Sequence, residues 1–559
     1  MTASLRALRA LALLAGFYLM GVALLMVLAA ADWVLLTRHL VTQSVYLVLG
    51  TVFTSVALMA PILRGMFAFL LAGRRSSGAG GCPVTPQEQP ELWAEVLEAA
   101  RRAGTQAPDE VILTEGVNAA VAERARLLGL LPGRRRMYLG VPLLTGLTVP
   151  RLRAVLAHEF GHYSNQDTRL AGVTMRGRAA VLHTVNAFGS GDNRAYAFVG
   201  GLYVRYAHLF LKVTQSIARR QELAADQAAA CQAGRDPTAA ALRQIPLLDA
   251  AHDHYVDTYA LMGRAASALP PVGEFHGGFR QLLAARQPDA LSELAAARRP
   301  PRPSPYDSHP PVSERLALIE ALPDDGLTDD LAAPSALSLL RDQDGLLATL
   351  EERILPAEAS ALQRLDWPDL VMVRALSDAR GWAEPLQMAV RRALRIAHAS
   401  VTTAGGAPPG PLSEGAAGVV VAESATSSAA AADSGTATET GARLPSLEDV
   451  LDAIDGGLLW MEVADRMPKP AQAARLTGRS ARNFIRPAVW DAVAGLVHLH
   501  LIAEGLARPD VSWAGRPGLA LPEDWEERMD AAIDAAVDDA PDTTPLRALL
   551  GGDNRIRPE

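Results

Sequence analysis

Two long apolar runs open the chain, and shorter amphipathic runs follow. Ala10–Ala31 carries no charged residue over 22 positions, and Leu40–Leu63 carries none over 24. About 20 such residues suffice to cross a bilayer as a helix. Asp32, Arg38 and His39 mark the polar break expected between the two spans. The first run is too long for a removable leader and is followed at once by a second, so residues 1–75 read as a transmembrane hairpin. Arg6 and Arg9 precede the first span, and Arg64, Arg74 and Arg75 follow the second. The positive-inside bias then puts both ends, and everything downstream, in the cytoplasm.

Beyond the Ser/Gly-rich juncture Ser76–Gly81, the pattern predicts a helix over Pro90–Gly104. Strand-like runs follow at Val111–Thr114, Val117–Ala122 and Met137–Leu143. Thr148 is placed to cap a helix whose first turn holds Pro150 and which runs through Tyr163. Another helical stretch ends near Gly234. Leu337, Leu339, Leu340, Leu346, Leu347 and Leu350 recur at near-helical spacing, so 331–401 reads as helical. Residues 402–445 are rich in Ala, Gly, Ser and Thr with no packable face, the composition of a disordered linker or insertion. Residues 446–559 return to amphipathic helices without evident chemistry, a candidate surface for a protein partner. Arg475, Arg479, Arg482 and Arg486 cluster there near Phe484, and a solvated helix face explains them better than lipid headgroups.

Composition narrows the class. A net charge of −8 with no basic domain argues against a nucleic-acid partner. Cys82 and Cys231 are too few and too far apart for a disulfide framework, which fits a reducing compartment.

The chemistry concentrates in His158-Glu159-Phe160-Gly161-His162. Residues four apart share a helix face, so both imidazoles can aim at one cation, with Glu159 beside an open coordination position. Zinc with three protein ligands and one water is the usual catalytic arrangement. A third ligand is available downstream, where Glu222 and Asp226 share a face on the helix containing Arg219–Asp226. One carboxylate can take the metal while the other receives the second N–H of a ligand histidine. The small residues Ala224, Ala225 and Ala228–Ala230 let the two helices approach closely. His252 with His254, and His498 with His500, are two apart and point in different directions, so neither pair makes a natural chelate. Asn118–Glu123 is the candidate edge strand to bind an extended peptide by strand addition.

Over about residues 85–322 the chain resembles the membrane zinc metallopeptidases of the HtpX and CAAX-prenyl-endopeptidase type. The resemblance rests on Asn118-Ala119, the run Arg153–Asp167, Glu222-x-x-Ala225-Asp226, Gly234–Leu242 and Ser308-His309-Pro310-Pro311 through Arg315-Leu316. It implies His158, His162 and Glu222 as ligands of one zinc ion, Glu159 as general base and Asp226 as partner of a ligand histidine. It further implies His309 near the developing oxyanion, Arg315 holding the active-site face together, and Asn118 and Ala119 meeting substrate. The expected fold is mainly α with a small sheet: an α+β zincin-type domain over 76–330, a transmembrane hairpin before it and a helical region after it. The expected activity is cytoplasmic-side hydrolysis of membrane or membrane-proximal proteins, at the plasma membrane.

Two departures are visible. Where relatives carry a second membrane hairpin, Ala195–Val213 holds Arg205, His208 and Lys212, so an amphipathic or buried helix is expected. Ala120 stands where relatives usually have an aromatic residue. The rival reading is a membrane-anchored scaffold with a structural zinc, but a closed structural site has no use for Glu159. A prenyl-protein processing enzyme needs a large intramembrane chamber, which two spans do not enclose.

Overall fold

Helices dominate because alanine, leucine and arginine fill most segments, and the strands that do form are short. The computed structural model describes residues 3–41, 45–72, 81–123, 134–164, 181, 194–298, 310–404, 443–469, 476 and 478–551. His309, Arg475, residues 76–80 of the Ser/Gly-rich juncture and all but the ends of the 402–445 stretch lie outside these residues. Two compact units are formed, one from Met1–Leu261 with Leu269–Arg364, the other from Met262–Ala268 with Leu365–Glu559.

The first unit opens with helices α1 (Ala3–Val41) and α2 (Val45–Ala72). The polar break expected at Asp32–His39 is not a break. No glycine or proline interrupts the chain between Gly21 and Val41, and the Asp32 carboxylate accepts a hydrogen bond from the Ser55 hydroxyl of α2. Thr37 likewise folds its hydroxyl back onto the Trp33 carbonyl at 2.8 Å, so neither polar side chain disturbs the helix. Among the described residues, Ala12–Arg38 alone is long and apolar enough to cross a bilayer, and Val45–Ala57 is a shorter apolar helix.

The sheet follows, with strands β1 (Cys82–Val84), β2 (Glu110–Thr114), β3 (Ala119–Glu123) and β4 (Arg135–Gly140) in the order β1-β2-β4-β3. β2 and β4 are parallel and both outer strands antiparallel to their neighbours. Alternation aims Val111 and Leu113 of β2, with Met137 and Leu139 of β4, at one core. Onto it pack α3 (Pro90–Arg102) through Leu92, Trp93 and Val96, and α5 (Val149–Ser164) through Leu152, Leu156 and Phe160. The run expected at Met137–Leu143 is β4, which stops at Gly140. Pro142 cannot donate to a ladder but suits a first helical turn, and Val141–Gly146 forms α4.

Thr148 does not cap α5 with its side chain. Its hydroxyl is buried without a hydrogen-bond partner, and the helix entry is held by the Val149 N–H donating to the Pro334 carbonyl at 3.0 Å. That contact comes from the 331–401 stretch, which the fold divides. Ala336, Leu337, Leu340, Leu347 and Leu350 complete the core beneath the sheet. Trp367–Ala404 instead contributes Ala383, Leu386 and Val390 to the core of the second unit, with Val450, Val489, Val493, Trp525 and Ile533.

Helix α6 (Arg194–Ala233) is 40 residues long and joins two environments. Its first half buries Tyr203, Ala207, Phe210 and Leu211 against Leu14 and Phe17 of α1 and Ile62 of α2. The Phe17 and Tyr203 rings meet edge-on at 5.3 Å, and the Tyr206 hydroxyl donates to the Leu13 carbonyl at 2.7 Å. Of the Ala195–Val213 stretch, Tyr203, Ala207, Phe210 and Leu211 are therefore buried against the N-terminal pair, while Arg205, His208 and Lys212 stay exposed. The second half of α6 carries Glu222 and Asp226. Helix α7 (Arg235–Tyr255) turns back after Gly234, and α8 (Val312–Glu320) follows later in the chain.

In the short helix Glu274–Gly277, His276 is buried with its Nε2 unpartnered, edge-on to Phe275 at 5.1 Å. Burial, reinforced by nearby His252, drives this imidazole from its ordinary 6.5 down to about 4. Between those values the unfolded chain binds a proton that the folded one refuses. Stability is therefore full above pH 6.5 and falls as pH drops toward 4, by about 3 kcal/mol in total. His276→Leu is expected to flatten this loss, read as a smaller drop in melting temperature between pH 7 and pH 4.5 than in wild type.

Candidate metal centre

Helix α5 presents His158 and His162 on one face, and α6 crosses it closely enough to bring Glu222 opposite them. The close approach depends on Gly161. A Cβ there would stand 3.2 Å from both Ala225 Cα and Ala228 Cβ, tighter than ordinary packing. Gly161→Val is expected to push α6 outward and weaken zinc binding at least tenfold, with Gly161→Ala intermediate. Competition with a chromophoric chelator measures this, alongside an overpacking cost of about 1–3 kcal/mol in stability.

The donor atoms converge. His158 Nε2 and His162 Nε2 lie 3.3 Å apart. Glu222 places Oε2 3.7 Å from the first and Oε1 3.6 Å from the second. Among the described residues these three side chains form a group able to hold a metal ion, with ligand atoms all within 4.8 Å. Two nitrogens bound to a tetrahedral zinc at 2.0–2.1 Å stand about 3.3 Å apart, so the pair already has the edge length the ion requires. The residues fit the metal.

The second carboxylate orients the first histidine. Asp226 Oδ1 lies 3.0 Å from His158 Nδ1, and with that N–H donated, Nε2 keeps its lone pair for a cation. The spacing of Glu222 and Asp226 left their division of labour open, and the geometry separates them. Asp226 is itself gripped by Arg315 of α8, whose Nε donates to Oδ2 at 2.7 Å and Nη2 to Oδ1 at 2.6 Å. Burial alone would raise the Asp226 carboxyl, but the hydrogen bonds from Arg315 and His158 outweigh it and hold the group at about 2. Burial likewise opposes the Arg315 charge, but Asp226, then Glu222 and Glu159, hold its pKa above the ordinary value.

A cavity of about 390 Å³ opens beside the triad. Glu159, Arg315, Asn118 and Ala119 are among the residues that line it. Asn118 precedes β3 and is fixed by its carbonyl, which accepts the Gly140 N–H at 2.7 Å. A side chain at Gly140 would strike the Gly116 carbonyl, so only glycine permits this turn to lie against β4. Sequence reasoning missed the apolar part of the lining, made by Leu143 and Val155 with Ala241, Leu242, Ile245 and Pro246 of α7. Its one signal was the Gly234–Leu242 run, which carries no chemistry. His252 packs edge-on against Phe279 at 5.2 Å, and His254 lies 3.2 Å from an Arg286 nitrogen, so that pair joins no ligand set among the described residues.

An HExxH helix, a facing carboxylate helix and a cavity at their junction define a metallopeptidase-type site. Residues 86–322 match the model of peptidase family M48. It is 26% identical over 253 residues to a protease HtpX homolog of Aeropyrum pernix, covering 42% of this chain and 75% of that protein. The crystal structure of S. mikatae Ste24p aligns with a TM-score of 0.28 at 15% identity, over 53% of this chain and 67% of that one, too slight a likeness to bear on the fold.

Proposed function

We propose that the chain is a membrane-anchored, zinc-dependent endopeptidase acting on protein segments at or near the cytoplasmic membrane surface. The observation that carries this reading is the His158–His162–Glu222 convergence, with Glu159 and a cavity beside it. His158, His162 and Glu222 would hold one zinc ion, which when bound supplies a Lewis acid and a water of lowered pKa. Glu159 takes the proton from the attacking water and delivers it to the leaving amine. Arg315 and Asp226 keep His158 in the tautomer whose Nε2 faces the cation. Asn118 and Ala119 receive the extended substrate, and His309 is assigned to the developing oxyanion. A structural-zinc scaffold would leave Glu159 and the adjoining cavity without a purpose.

The anchor is read from Ala12–Arg38, with the apolar surface of α2 beside it. The arginines at either end of the hairpin favour a cytoplasmic catalytic unit. Tyr203 and Phe210 pack against that pair and tie the first half of α6 to the anchor, while Arg205, His208 and Lys212 remain exposed.

In detergent, the purified protein is expected to hold one zinc per chain and to cleave unfolded casein. Incubation with 1,10-phenanthroline should abolish cleavage, and added zinc should restore it. Full activity in metal-depleted protein would sink the reading.

A further inference from the structure

The C-terminal unit contains its own cavity, of about 650 Å³, remote in sequence from the metal ligands. Its size is that of a built binding site rather than a packing flaw, which would be several-fold smaller. Helix Trp367–Ala404 forms one wall, Gly478–Ala503 and Trp525–Ala536 form others, and the hairpin of strands Arg508–Asp510 and Gly518–Ala520 closes it.

Two features give the cavity a chemical preference. Asp378, Asp491, Asp510, Glu526 and Asp530 face it, against Arg374 and Arg516, and Arg374 lies 3.4 Å from Asp378. The lining is therefore strongly anionic. Trp382 and Trp490 stand in the same lining. Trp490 is fixed by its indole N–H, which donates to Asp534 at 3.0 Å, while Trp382 is 49% exposed. An indole face next to carboxylates is the surface that ammonium and guanidinium groups prefer. The hairpin adds main-chain groups at the mouth: nothing lies within 4 Å of where a Cβ on Gly518 would be, so its backbone can be approached closely. Phosphates would be repelled, and a free amine would leave the hairpin unused.

We propose that this cleft binds an extended, lysine- or arginine-bearing segment of a partner protein. Basic side chains enter between Trp382 and Trp490 while the peptide backbone runs along the hairpin. The proposal stands independently of the peptidase reading.

The test uses the full chain carrying Glu159→Gln in detergent, with a fluorescein-labelled peptide of alternating lysine and alanine as the probe. Binding is followed by anisotropy and by quenching of tryptophan fluorescence. The basic peptide is expected to bind, a glutamate–alanine peptide of equal length is not, and affinity should fall steeply with salt. Asp491→Asn combined with Asp530→Asn should weaken binding at least tenfold. Trp382→Ala, at a half-exposed position where the fold should be retained, should weaken it severalfold. Binding should survive removal of metal by phenanthroline. Equal binding of the acidic peptide, unchanged affinity in the Trp382→Ala protein, or loss of binding with the metal would each overturn the proposal. Spermidine competing at the same concentration as the peptide would do so as well, showing a site for free amines.

Discussion

Glu159→Gln is expected to leave zinc bound at one per chain and to lower kcat on casein by about a hundred- to ten-thousand-fold, the usual contribution of a positioned general base. Glu159 is the neighbour of a ligand in sequence but not a member of the ligand group: the three donors within 4.8 Å are His158, His162 and Glu222. The amide keeps the size of the carboxylate and its place in the cavity lining while losing the ability to accept a proton. KM should therefore change little. Metal analysis and steady-state kinetics on the same preparation separate this outcome from simple loss of zinc. A variant that cleaves at the wild-type rate would remove Glu159 from the reaction.

Much of the site was legible because its residues lie on two helices, where spacing fixes direction. His158 and His162 needed only the 3.6-residue period, as did the shared face of Glu222 and Asp226. Spacing alone left open which carboxylate takes the metal, and only the family resemblance singled out Glu222. The choice depends on where α6 crosses α5, and the crossing is set by Gly161 lying against Ala225 and Ala228, a tertiary contact. The apolar cavity wall was hidden for a similar reason. Ala241, Leu242 and Ile245 look like any core-facing stretch until the fold turns them toward the ligands. The strand at Cys82–Val84 was missed because three residues containing a proline show no alternation. The division of the 331–401 stretch turned on packing partners rather than periodicity. Leu337 and Leu347 complete a core made by residues far upstream, whereas Leu386 and Val390 face helices far downstream. Arg479 and Arg486 both pair with Asp539, and Arg486 also lies over the Trp460 ring at 5.6 Å, which ties this part of the arginine cluster to its own unit.

The second large effect is expected at Arg315. Arg315→Met removes a guanidinium that grips Asp226 through two hydrogen bonds and lies 3.9 Å from Glu222. Both carboxylates are buried, so the lost partner leaves negative charge without compensation, at a cost of about 3–5 kcal/mol. The expected result is a lower melting temperature for the metal-free protein, measured by calorimetry, and weaker zinc binding as Asp226 loses the guanidinium that fixes its position against His158. Pairing the change with Asp226→Asn separates the two effects. The double variant removes the buried charge together with its partner, so most of the stability should return. Zinc affinity should not, because an amide is a poorer acceptor for the His158 N–H than a carboxylate, and substitutions of such partners typically weaken metal binding about 10–100-fold. Recovery of both properties together would mean that Arg315 and Asp226 support the fold without tuning the ligand.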